Sequence, residues 1–222
     1  MELETYYAKR AAEYEKIYHK PERQADLARM RDDFPALLAR KRVLEIACGT
    51  GYWTPLIAAR AESVVAMDFN EETLEIARTK PYPRKNVSFQ QGDAYALPAF
   101  PRRFSGCFAG FWWSHIPLGR IDAFLSGLTE RLEPGATLVF HDNRYVEGNS
   151  TPLSRKDAEG NTYQTRRLVD GSSHEVLKNY PRAAELEKRL APFATSFRFV
   201  EYDYYWAIIA AMTGTPNLGR KA

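Results

Sequence analysis

Hydrophobic positions along this chain change their period near residue 42, and the change divides it into a helical lead and a sheet-forming core. In the lead, Tyr7, Ala11, Tyr14 and Tyr18 recur at spacings of three and four, which predicts a helix with one aromatic face. His19-Lys20-Pro21 interrupts the pattern, and Pro21 suits the first turn of a new helix. Leu27, Met30, Phe34, Leu37 and Leu38 then predict a second amphipathic helix. From Arg42 the apolar residues form short unbroken runs: Val43-Leu44-Glu45-Ile46-Ala47, then 64–67 ending at Asp68, then 87–89 running into Gly92-Asp93. Two more follow, 104–113 and 137–140. Between the runs lie predicted helices over 52–60, 71–80 (with Asn70 as N-cap) and 120–132, and turns at 48–51 and at Glu133-Pro134-Gly135.

Strands that are apolar throughout, rather than alternating, belong to a parallel sheet covered on both faces. Their alternation with helices predicts an α/β fold with a doubly wound, mostly parallel sheet, whose ligand site lies beyond the carboxyl ends of the strands. Residues 147–164 are rich in Gly, Ser, Asn and charge and read as a long excursion. After it, 173–177 reads as a strand, 183–190 as a helix and 197–209 as one long strand, which predicts an antiparallel edge. The expected organisation is one domain: a helical cap over 1–40, a core over 41–145, a substrate-side region with the last strands over 146–212, and a loose tail over 213–222.

Composition narrows the classes. Hydrophobic residues are 45% of the 222 and charged residues 27%, an ordinary globular balance. The net charge of +3 comes from basic residues scattered among acids, and runs such as Arg166-Arg167 are short, so no nucleic-acid stripe is expected. Cys48 and Cys107 lack metal-ligand spacing and do not make a disulfide framework, so reduced thiols in a cytoplasmic protein are expected. Met1-Glu2-Leu3-Glu4 is acidic without an apolar stretch behind it, and no leader is expected. The most apolar segment, 206–212, is far below the ~20 residues a membrane helix needs. No membrane partner is expected, and the assembly is taken as a monomer or homodimer.

The chemistry starts at Glu45-Ile46-Ala47-Cys48-Gly49-Thr50-Gly51, between the first strand and a helix. Paired glycines let the backbone turn sharply and let a ligand come close. A dinucleotide-binding loop needs a third glycine where this chain has Thr54, so a pyrophosphate seat is not encoded. Asp68, ending the second strand, suits the two hydroxyls of a ribose. Asp93, after the third, suits the exocyclic amine of adenine. Together they describe a cradle for one nucleoside.

These blocks, with Leu132-Glu133-Pro134-Gly135 before the fifth strand, resemble the class I S-adenosylmethionine-dependent methyltransferases over about half of the chain. The resemblance implies a seven-stranded Rossmann-like sheet, S-adenosylmethionine as cofactor, S-adenosylhomocysteine as product, and a small-molecule acceptor. It implies that Gly49 and Gly51 lie against the methionine portion. Asp68 would hold the ribose, and Asp93 with Ala94 the adenine. Glu45, Ala47, Trp53, Phe69 and Tyr14 complete the expected cofactor side. Ala47 departs from the family, which often has Gly there.

On the substrate side the fourth strand ends in Phe111-Trp112-Trp113-Ser114-His115, without the Asn-Pro-Pro-Tyr-type motif of enzymes that methylate bases or glutamine. Trp112 and Trp113 suit an apolar or cationic substrate, with core packing as the competing account for one of them. His115 is the candidate base, against a structural histidine. Asp142 and Arg144, after the fifth strand, are expected to orient substrate or to pair with each other, and Tyr18 to sit in a lid. Asp142-Asn143 is half of a catechol-type metal site, but the acid needed after strand four is absent and no metal is expected. Arg166 and Lys178 are placed to hold a carboxylate, against a solvated strand edge. Three rivals remain. A nicotinamide-dependent oxidoreductase is disfavoured by Thr54, an aminopropyl transferase by Trp112-Trp113, and a non-catalytic S-adenosylmethionine-binding protein would differ only in turnover.

Overall fold

The computed structural model describes residues 11–168 and 170–215, with side chains described from Glu15 onward. The main sheet has seven strands: β1 (Arg42–Ile46), β2 (Ser63–Asp68), β3 (Val87–Gln91), β4 (Phe104–Gly110), β5 (Leu132–Asn143), β9 (Ala194–Glu201) and β10 (Tyr205–Met212). Their order is β3-β2-β1-β4-β5-β10-β9. The first five are mutually parallel, and β10 runs antiparallel to both β5 and β9. The chain leaves β1 toward β2 and β3, then returns to β4 on the other side. That reversal opens a crevice at the carboxyl ends of β1 and β4, where open α/β sheets bind ligands. The α/β fold with an antiparallel edge is as expected.

Residue alternation in the central strands explains the two-sided core. Val43 and Leu44, adjacent in β1, are both fully buried but pack on opposite faces. On one face, helix α1 (Gln24–Leu37) lays down Leu27, Met30 and Phe34, with Leu38 just beyond its end, all with no exposed surface. Their spacing of three and four puts them on one stripe, and each such burial stabilises by about 1.5–3 kcal/mol. The short helix α2 (Thr54–Ala58) packs beside it. The opposite face is covered by α4 (Ile121–Thr129) and α5 (Ala183–Leu190), through Phe124, Leu125, Leu128, Leu186 and Leu190. Helix α3 (Glu71–Arg78) lies against β2 and β3.

Several boundaries differ from the sequence reading. β4 stops at Gly110, because Phe111 adopts a left-handed backbone (φ 57°), and Trp113–His115 forms a 3-10 turn instead of strand. β5 starts at Leu132: the Glu133-Pro134-Gly135 turn is a wide bulge inside it, where the pairing jumps from Phe104–Leu132 to Gly106–Thr137. The excursion over 147–164 is not plain loop. It carries β6 (Arg155–Lys156) and the start of β7 (Thr162–Arg167), which pair with β8 (Ser173–Leu177) as a separate antiparallel sheet. The long strand read over 197–209 is two antiparallel strands, β9 and β10, that turn back at Tyr202-Asp203-Tyr204. Asn70 does precede α3, but its side chain makes no capping bond; Thr73 Oγ1 donates to the Asn70 carbonyl instead. In the lead, Ala11–His19 is a 3-10 helix, and Tyr7 lies outside the described residues.

Candidate active site

The loop after β1 is built from left-handed residues. Ala47 (φ 51°), Gly49 (φ 57°) and Gly51 (φ 75°) alternate with ordinary ones, which folds the backbone tightly enough to expose its N–H groups. At Ala47 a side chain holds a conformation that costs an L-residue about 1–2 kcal/mol, the physical reason glycine is common there. Gly51 serves packing. A Cβ added there would stand 2.9 Å from Ala77 Cβ on α3. Gly51→Ala is therefore expected to lose at least about 1–2 kcal/mol from the backbone conformation alone, with the contact against α3 adding to it. A thermal melt that matches wild type would refute this.

Asp68 braces the loop. Its Oδ2 accepts from the Gly49 N–H at 2.8 Å, and its Oδ1 accepts from the Asn70 N–H and from Thr73 Oγ1, both at 3.0 Å. Burial raises its pKa, and the N–H donors of Asn70 and Gly49 work against that rise. Glu15, on the leading 3-10 helix, accepts from Thr50 Oγ1 at 2.7 Å and pairs with Lys80, tying that helix to the loop.

Beyond these carboxyl ends lies a cavity of about 200 Å³. Ala47, Gly49, Asp68 and Phe69 line it together with Asp93 and Ala94. Trp112 and His115 belong to the same lining. Asp93 Oδ1 accepts from the Tyr95 N–H at 2.8 Å. The indole Nε1 of Trp112 is buried and unpartnered. Arg120 also lines the cavity, with its guanidinium 3.6 Å from the centre of the Tyr95 ring.

Other expected site residues lie elsewhere. Glu45 is buried within β1 and is pushed by desolvation to about 8. Trp53 and Tyr18 are packed inside: Tyr18 stacks on Tyr52 at 3.5 Å, and Trp53 meets His141 edge-on at 5.0 Å. The side chain of Tyr14 lies outside the described residues. Trp113 packs against Phe140 and lines a second cavity, of about 440 Å³, beside α5. Asp142 and Arg144 do not pair with each other. Arg144 is drawn to Glu201 (2.9 Å) and to the Tyr202 carbonyl at the turn between β9 and β10.

Asp142 is fully buried and bonded to Lys178 Nζ at 2.7 Å, and Lys178 Nζ also donates to Ser114 Oγ at 2.6 Å. The Ser114 N–H donates to the other Asp142 oxygen at 3.0 Å. Burial would raise the carboxyl, but Lys178 and His115 bring it down to about 2. His115 sits in the turn these groups hold. Its Nδ1 lies 2.7 Å from the Leu177 carbonyl. A carbonyl only accepts, so Nδ1 carries the proton and Nε2 keeps the lone pair. Burial, then the charge of Lys178, holds this imidazole well below 6.5, with Arg166 acting in the same direction. Among the described residues no group of three His, Cys, Asp or Glu is placed to hold a metal ion.

Comparison with known proteins settles the family. A family model described as a methyltransferase domain matches residues 43–135. A 2-phytyl-1,4-naphtoquinone methyltransferase of Thermosynechococcus vestitus is 35% identical over 178 residues, covering 79% of this chain and 67% of that protein. The chain belongs to the class I S-adenosylmethionine-dependent methyltransferases. A demethylmenaquinone methyltransferase of Staphylococcus aureus is 32% identical over 104 residues, 44% of this chain. The chain spans 41% of the length of that relative. Among solved structures, a DhpI–SAH complex superposes with a TM-score of 0.77 at 27% identity, covering 94% of each chain. A DhpI–SAM–HEP complex gives 0.74 at 28% identity, covering 93% of this chain and 94% of that one.

Within this family frame, sequence reasoning had not found Arg120, Tyr95 and Thr73 as parts of the site. Thr73 carried a faint signal, five residues after Asp68 on the first turn of a helix. No helix among the described residues is long and apolar enough to cross a membrane.

Proposed function

We propose that this chain transfers a methyl group from S-adenosylmethionine to a nucleophilic atom of a small-molecule acceptor. The reading is carried by the convergence of Asp68, Asp93 and His115 on one cavity at the switch point of the sheet. The residues present fit the cofactor. Each carboxylate oxygen has more than one acceptor position, so Asp68 can bond ribose hydroxyls while bracing the loop. Asp93 Oδ1 is engaged by Tyr95, and its Oδ2 is the acceptor for the adenine amine. The backbone of Ala47 and Gly49 takes the methionine portion. When bound, S-adenosylmethionine supplies a methyl carbon made electrophilic by its sulfonium.

The chain then has three tasks: to align the acceptor, to exclude water and to manage one proton. Trp112 gives the methyl its apolar wall. His115 Nε2 would take the proton of an acceptor O–H, N–H or S–H that must leave when the acceptor is methylated. The Leu177 carbonyl holds the ring in the tautomer this requires. A neutral imidazole at pH 7 is ready to accept, because its pKa lies below 6.5. With Cys48 and Cys107 unpaired, the reading places the protein in a reducing cytoplasm.

Asp68→Ala is the direct test. It removes charge-assisted acceptors and frees the Gly49 N–H, so affinity for S-adenosylhomocysteine should fall more than tenfold. Calorimetry reads this, and wild-type affinity in the variant would count against the assignment.

A further inference from the structure

Arg120 is a cation in the cavity lining that neither the glycine loop nor the His115 turn employs. It ends the 3-10 turn Leu118–Arg120, directly before α4. Its guanidinium stands 3.6 Å from the centre of the Tyr95 ring. A cation that close to a ring is held by the ring's quadrupole, and a stacked guanidinium keeps its N–H donors for another partner. Among the described residues no side-chain hydrogen bond or ion pair takes those donors. Asp122, two residues on, is bonded instead to Arg189 at 2.9 Å. The side chain is exposed, so water satisfies it in the free chain and no counter-charge is owed. Its place in the lining, and its fixed seat on Tyr95, are what point to a ligand.

Tyr95 ties this cation to one end of the cavity. The Tyr95 N–H donates to Asp93 Oδ1 at 2.8 Å, and its ring lies 5.5 Å from that of Trp112. Trp112 brings a second donor without a partner, its buried Nε1. The charges acting on His115 are those of Lys178, Asp142 and Arg166, whereas Arg120 acts on Tyr95. Arg120 therefore belongs with Asp93, away from the group that would exchange a proton. Adenine presents an amine donor flanked on both sides by ring nitrogens that only accept. Asp93 Oδ2 answers the amine, but a carboxylate cannot answer the nitrogen beside it.

We propose that Arg120, seated on the Tyr95 ring, donates to a ring nitrogen next to the adenine amine and is a specificity-determining residue for the base of the cofactor. The inference rests on the placement of adenine at Asp93 given above. With both side chains in place the site reads a donor and its neighbouring acceptor together. A hypoxanthine or guanine base, with a carbonyl in place of the amine, would set an acceptor against the Asp93 carboxylate.

The test is calorimetry of the whole chain with S-adenosylhomocysteine and with its 1-deaza and 7-deaza analogues, each of which replaces one flanking nitrogen by C–H. Arg120→Ala should weaken S-adenosylhomocysteine by about tenfold, the low end for a hydrogen bond from a charged donor. For one of the two analogues, wild type and Arg120→Ala should bind alike, because the contacted nitrogen is already gone, and that analogue identifies the edge. The melting temperature of the free chain should not change, since the side chain is exposed. Tyr95→Phe keeps the ring and should bind as wild type, while Tyr95→Leu removes the seat and should share the loss of Arg120→Ala. Wild-type affinity for S-adenosylhomocysteine in Arg120→Ala, or an equal loss for it and both analogues, overturns the proposal. Asp93→Ala separates that failure from a failure of the adenine placement. If Asp93→Ala weakens binding and Arg120→Ala does not, the Arg120 contact alone falls; if Asp93→Ala binds at wild-type strength, the placement falls with it.

Discussion

Asp142→Ala is expected to destabilise the fold by about 3–5 kcal/mol, because it strands the Lys178 ammonium in a site where that lysine is only 2% exposed. For a chain of this size that is a drop of roughly 6–20 °C in Tm. The pH dependence has a definite sign. In wild type, Asp142 is depressed from 3.8 to about 2, so its contribution is full above 3.8 and is lost as pH falls toward 2. In the variant, Lys178 loses its counter-charge. Burial, with Arg166 and Arg23 adding to it, already outweighs the attraction of Asp142 and draws Lys178 from 10.5 to about 8. A further fall means that the unfolded variant binds the extra proton at neutral pH, so variant stability rises with pH there. The deficit against wild type should narrow as pH rises toward about 8, and chemical denaturation at several pH values measures it. Replacing both partners, Asp142→Leu with Lys178→Met, should recover most of the loss, since no buried charge is then left alone. A double variant as unstable as the single one would mean that packing, not charge, is what Asp142 supplies.

His115→Ala should lower kcat by about 10²–10⁴-fold, the usual weight of a positioned base, while affinity for S-adenosylhomocysteine stays within about twofold. The measurement is release of S-adenosylhomocysteine with whichever acceptor of a small-molecule panel wild type turns over fastest. A structural histidine predicts a different split: stability and cofactor affinity would suffer with the rate. The wild-type profile of kcat/KM should rise through an apparent pKa below 6.5 and be flat above it, because burial and the charge of Lys178 keep the imidazole of the free enzyme unprotonated at pH 7. A full rate in His115→Ala would return the residue to the turn it helps to hold.

The two experiments probe one constellation from opposite ends. The 3-10 turn Trp113–His115 is pinned at Ser114, whose N–H donates to Asp142 and whose hydroxyl accepts from Lys178. Asp142 thereby positions the His115 turn, and a rate loss in Asp142→Ala beyond its stability loss would report a coupling to the chemistry.

What was legible in the sequence was local. Short apolar runs, glycines after the first run, and acids ending the second and following the third are all set within a dozen neighbours, and they specified the parallel core and the nucleoside cradle around Gly49, Asp68 and Asp93. Alternation of strand and helix fixed the order of layers, because a parallel pair needs a covered crossover. The same reading failed where local signals mislead. Pro134-Gly135 looks like a turn but is absorbed as a bulge, since both flanks of β5 find partners in β4. The β9–β10 turn carries no glycine or proline, so the two strands read as one.

The polar contacts around Asp142 and His115 are of another kind. Arg23 meets Asn143 across 120 residues, His115 meets the Leu177 carbonyl across 62, and Lys178 meets Asp142 across 36. Each contact joins residues far apart in the chain, and no side chain among them carries a local signal of its partner. The sequence by itself determined that this chain builds a parallel sheet with a cradle for one adenosine at its switch point. Only the tertiary structure decided that Arg120 lines that cradle and that Lys178 is buried against Asp142, because burial is a property of what the rest of the chain packs around a residue.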